Sequence, residues 1–84
     1  MQRVAVISAI IEEPRYSQEA FNRIISEFQD MIRGRLGIPM PEQELGVVAL
    51  VVVGNADQIN HLTGLLGRLE HVTVKTAMAK KELP

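Results

Sequence analysis

Two periodicities alternate along the chain. Arg3 to Ile11 is a short run rich in β-branched residues (Val4, Val6, Ile7, Ile10, Ile11), the composition of a strand. Glu13-Pro14 predicts its end, because proline has no N–H to give to a ladder. Ser17 then reads as a helix N-cap, with Glu19 in the first turn on the favourable side of the helix dipole. From about Gln18 to Asp30 the residues Phe21, Ile24, Ile25, Phe28, Met31 and Ile32 recur at helical spacing, with Arg23, Glu27 and Asp30 off the stripe. Gly34 and Gly37 break this helix, and Arg33, Arg35, Leu36 and Ile38 predict a short edge strand. Pro39 and Pro41 bracket Met40 in a stiff loop. Leu45 to Val53 is the strongest strand, ended by Gly54. Asn55-Ala56-Asp57-Gln58 has the form of a capping box, and a second helix follows to about Leu69. Its buried stripe is Ile59, Leu62, Leu66 and Leu69, widened by Leu65. His71 to Ala79 is a last strand in which Val72, Val74, Thr76 and Met78 alternate with Thr73, Lys75, Ala77 and Ala79. Lys80 to Pro84 is a polar tail expected to fray.

The order is strand, helix, strand, strand, helix, strand: an α+β, ferredoxin-like βαββαβ arrangement. Two right-handed crossovers would put both helices on one face of a four-stranded antiparallel sheet. The other face then has no cover within the chain. An antiparallel sheet with one wet face should alternate apolar with polar. The first and third strands do not. Parity along each strand groups Val4, Val6 and Ile10 with Val48, Leu50 and Val52, and sets against them Ala5, Ile7, Ala9, Val47, Ala49 and Val51. Either group could be the open one, and an apolar patch of this size marks an interface. The expectation is a homo-oligomer, a dimer or tetramer, formed through the open sheet face.

Composition sharpens this. The chain has 84 residues and is 46% hydrophobic, a high apolar share for a globule so small. One domain spanning 1–84, with its core over about 3–80, is expected. Nine basic and ten acidic residues give a net charge of -1, against a direct nucleic-acid binder, which carries a basic surplus. No apolar run is long enough for a membrane span, and Met1 to Val6 lacks the features of a signal peptide. The absence of Cys excludes disulfides, thiolate metal ligands and Cys nucleophiles, and fits a cytoplasmic protein.

Three stretches carry a family resemblance: Arg35-Leu36-Gly37-Ile38-Pro39; Leu45-Gly46-Val47-Val48-Ala49-Leu50-Val51-Val52; and Leu62-Thr63-Gly64-Leu65-Leu66-Gly67-Arg68-Leu69 leading into Val72-Thr73-Val74-Lys75-Thr76. Together they resemble the small ACT-like proteins described as candidate regulators of the iron-only hydrogenase system. The resemblance runs from Val4 to about Lys80. It implies a stand-alone ACT-like module, oligomeric and regulatory, that binds a ligand or a partner and is not an enzyme. Amino-acid-sensing ACT domains carry a Gly just after a Pro in the loop following the first strand. Here Pro14 is followed by Arg15 and Tyr16, so that effector site does not carry over. The fold also resembles the effector domain of the nickel-responsive repressor. Its metal site, built from several His and a Cys, has no counterpart in a chain with two His and no Cys.

The residues offer few other sites. Gly64 and Gly67 share a flank of the second helix and predict either close approach of another backbone or a ligand cleft at a subunit boundary. Arg33 and Arg35 on the edge strand could hold an anion or guard the edge against aggregation. His61 and His71 read as solvent-facing, and two His ten residues apart do not make a metal site. No cofactor is expected. No catalytic constellation and no phosphate-binding Gly-rich loop is present. Two rivals to the regulatory reading are a purely structural partner-binding or assembly protein and a small enzyme on the same scaffold.

Overall fold

The computed structural model describes residues 1–84. Its elements are β1 (Arg3–Glu12), α1 (Pro14–Glu27), β2 (Ile32–Met40), β3 (Leu45–Gly54), α2 (Ala56–Gly67) and β4 (Val72–Met78). The strands form one antiparallel sheet in the order β2-β3-β1-β4, and the chain is an α+β fold of the expected βαββαβ order. The core lies between the helices and one sheet face. Ala5, Ile7, Ala9 and Ile11 of β1 and Val48, Leu50 and Val52 of β3 meet Phe21 and Ile25 of α1 and Ile59, Leu62 and Leu66 of α2.

Helix α1 begins a full turn before Gln18. Proline at the first helical position loses only an N–H that the helix leaves unpaired anyway, so Pro14 starts α1 as well as ending β1. The N-cap is Glu13, in the left-handed conformation with no side-chain cap. Ser17 is therefore not a cap. It is buried inside α1, and its hydroxyl donates at 2.6 Å to the carbonyl of Glu70 in the α2–β4 connection. The helix ends at Glu27, and a 3₁₀ turn over Gln29–Met31 returns Met31 to the core.

Strand β2 is an edge strand, as expected, but longer. Gly34 and Gly37, expected to break the first helix, lie inside this strand, and it takes in Pro39 and Met40. An edge tolerates proline because one side of the strand needs no ladder partner. The capping box forms: Asn55 Oδ1 accepts from the Gln58 N–H at 2.8 Å, and Gln58 Oε1 accepts from the Asn55 N–H at 2.9 Å. Gly54 makes room for it, since a Cβ there would come within 3.0 Å of Gln58 Oε1. The C-terminal tail pairs back on the chain. Leu83 N–H donates to the Gln2 carbonyl at 2.7 Å, and Arg3 lies 3.4 Å from Glu82.

Candidate functional site

The register decides which residues share a face. Val4 pairs with Val53, Val6 with Val51, Ser8 with Ala49 and Ile10 with Val47. Even positions of β1 thus sit beside odd positions of β3, and both parity groups drawn from the sequence mix the two faces. The buried group is Ala5, Ile7 and Ala9 with Val48, Leu50 and Val52. The open face carries Val4, Val6 and Ile10 with Val47, Ala49 and Val51. The reason is that the residue numbers of each β1–β3 pair add to an odd number, which the hydrophobicity of either strand alone does not reveal.

Strand β2 continues this open face. Leu36 pairs with Ala49, Ile38 with Val47 and Met40 with Leu45. On the other side, Ala77 pairs with Val6, Lys75 with Ser8 and Thr73 with Ile10. Exposure reaches 44% at Val6, 45% at Ile10, 59% at Leu36, 49% at Ile38 and 40% at Val51. Ser8, the polar residue at the centre, donates its hydroxyl to the Lys75 carbonyl at 3.2 Å. The paired positions of β1, β3 and β4 on this open face carry two charges, Glu12 near one end and Lys75 on the β4 edge, of opposite sign.

The register shift between Ile32 and Gly34 shapes the helix-side face of β2. Ile32 pairs with buried Val52 and packs on the core. Strict alternation from there would send Arg35 to the open face. The extra residue reverses the phase, so Arg35 pairs with buried Leu50 and faces the helix layer, while Leu36 and Ile38 take the open side. Two grooves border this stretch. One, of about 400 Å³, runs between the C-terminal half of α1 and the start of β2, and is lined by Asn22, Ser26, Gln29, Arg33 and Arg35 over Ile25. The other, of about 370 Å³, lies nearer the α1 N-terminus, between Pro14 and Gln18 on one wall and Gly37, Pro39 and Gly46 on the other, with Arg35 again at its border.

Arg33 and Arg35 therefore come together in one groove. Asn22, Ser26 and Gln29, which complete it, were not singled out in the sequence. The available signal was the polar flank of the first helix, which the chain order lays beside the edge strand. Gly64 and Gly67 approach no other element of the chain: a Cβ at either position has no atom within 4 Å apart from its chain neighbours and its own helix backbone. His61 is exposed and stands edge-on to Phe28, with ring centroids 5.6 Å apart. His71 is exposed, in the left-handed conformation, with Nε2 3.5 Å from Glu13 Oε2. No group of three or more His, Asp or Glu converges as a metal site would need. Every buried side-chain polar atom has a hydrogen-bond partner. No helix is long and apolar enough to cross a membrane.

The model of the TM1266-like family, "Iron-only hydrogenase system regulator, putative", matches residues 3–76. The chain belongs to this family. Its fold is also that of the uncharacterized protein TM1266 from Thermotoga maritima, with a TM-score of 0.91 and 28% identity over 95% of this chain and 100% of that one. The ACT domain of the GTP pyrophosphokinase from Chlorobium tepidum superposes with a TM-score of 0.70 at 18% identity, covering 95% of this chain and 89% of that one, which shows the shared fold. A search of curated proteins finds no match. Membership of the TM1266-like family and the ACT-like fold agree with the resemblance drawn from the sequence.

Proposed function

We propose that this TM1266-like chain is a stand-alone regulatory module of the iron-only hydrogenase system. In this reading it is not an enzyme. It works as a homo-oligomer in which two copies meet through their open sheet faces, and it binds a ligand or a protein partner. The observation that carries the reading is the apolar open face. A fully buried aliphatic side chain is stabilised by about 1.5–3 kcal/mol. Five residues left near half exposure forgo roughly 1 kcal/mol each, about 5 kcal/mol per copy. A second copy recovers this at low polar cost, because the Ser8 hydroxyl is already hydrogen-bonded. The opposite signs of Glu12 and Lys75 also suit a self-complementary contact. Regulation fits such an assembly, because a ligand that binds one arrangement of the subunits more tightly shifts the population toward it.

Light scattering at micromolar concentration tests it. The expected mass is at least twice the 9.3 kDa of the chain, falling to one chain for Val51→Lys and for Ile10→Lys. Both sites are already partly exposed in the single chain, so the fold, followed by circular dichroism, should persist. A monomeric wild type, or variants with unchanged mass, would overturn the reading.

A further inference from the structure

The geometry points to an oxyanion-binding site in the groove between α1 and the start of β2, for a small ligand bearing a carboxylate or phosphate. This inference does not rest on association through the sheet face. Arg35 donates from Nη2 to Asn22 Oδ1 at 2.8 Å, and Arg33 donates from Nη1 to the Asp30 carbonyl at 3.3 Å. Each guanidinium is thus steadied by one neutral acceptor. Neither forms an ion pair, whereas Arg3 reaches Glu82 and Arg23 reaches Glu19. A guanidinium has five N–H donors in a rigid fork, so both keep most of their donors for a planar or tetrahedral oxyanion.

The rest of the groove agrees. No Asp or Glu lines it. Because Asn22 presents its oxygen to Arg35, its NH₂ remains a donor, and Gln29 adds a second amide. Ile25 and Ile32 give an apolar floor for a short carbon body. The volume of about 400 Å³ falls in the range of small-molecule sites. The bulge is what aims Arg35 here, and bulges recur where a strand must redirect one side chain. An inward-turned arginine and a bulge also protect a sheet edge from pairing, a role compatible with anion binding in this groove.

The test is a ¹H–¹⁵N NMR titration of the full chain with inorganic phosphate and, separately, with succinate at constant ionic strength. The expected result is saturable shifts of the Arg33 and Arg35 Nε–H signals and of the Gly34 amide with at least one of the two probes. Saturation by phosphate alone assigns a phosphorylated ligand, and by succinate alone a carboxylate ligand. Either Arg35→Gln or Arg33→Gln should weaken binding about tenfold or more, while Arg68→Gln, an exposed arginine with no ion pair, leaves it unchanged. Arg35 is exposed, so its variant should fold and keep the wild-type oligomeric mass, which separates this result from any failure of the sheet-face contact. Non-saturating shifts with both probes, or equal affinity in Arg35→Gln, would overturn the site.

Discussion

Ser17 has two incompatible descriptions, and one substitution separates them. As an N-cap, its oxygen would accept from the first turn of a helix, and Asp would replace it at no loss, because Asp and Ser cap comparably and an acid suits the dipole. In the structure its hydroxyl O–H donates, at 2.6 Å, to the Glu70 carbonyl, from a side chain only 5% exposed. The bond ties α1 to the connection between α2 and β4, which is also held to β1 where the Glu12 N–H donates to the His71 carbonyl at 2.7 Å. Ser17→Ala deletes the donor and leaves the Glu70 oxygen short of a partner, a cost of about 1–2 kcal/mol. That value overlaps the loss of a cap, so alanine alone decides nothing. Ser17→Asp is decisive. It sets a carboxylate with no donor against a carbonyl oxygen in a buried position, which should cost about 3 kcal/mol or more, or raise the carboxyl's proton affinity until it is neutral. Urea denaturation at fixed protein concentration, followed by far-UV circular dichroism, measures both changes. A Ser17→Asp variant within about 0.5 kcal/mol of wild type would refute the tertiary role and restore the cap.

Two further predictions follow from local geometry. Asn55→Ala should lower stability by about 1 kcal/mol, and the double change with Gln58→Ala should cost less than the sum of the single ones, since the two side chains cap reciprocally; additive losses in denaturation would contradict this. Gly64→Ala should raise the thermal midpoint through a gain of about 0.5–1 kcal/mol, because the new methyl meets no other element of the chain and a helix prefers Ala to Gly; a lower midpoint would locate a contact with another molecule at that flank.

How much of this was legible in the chain depended on which pattern carried the information. The element order was plain, since period-two and helical runs are separated by Pro, Gly and an Asn55–Gln58 box whose chemistry is local. The helix stripes were equally plain, and Phe21, Ile25, Ile59, Leu62 and Leu66 are all buried. What failed was parity. A strand that is polar on one face announces which residues point inward, but β1 and β3 are apolar on both, so their own pattern is silent about how they pair. Only the register puts Val6 beside Val51 rather than beside Leu50 or Val52.

The same limit hid the groove. Arg33 and Arg35 stand two apart, and perfect alternation would have turned both outward from Ile32, onto the apolar sheet face. A single extra residue reverses Arg35 and brings Leu36 and Ile38 to the open side instead. The bulge therefore does two things at once. It keeps a guanidinium off the surface that a second copy would cover, and it delivers that guanidinium to Asn22. Gly34 was the local trace of it, because a glycine inside a strand often marks a bulge. Reading Gly34 as a helix breaker rather than a strand residue removed that clue, so the site and the interface were obscured by the same residue.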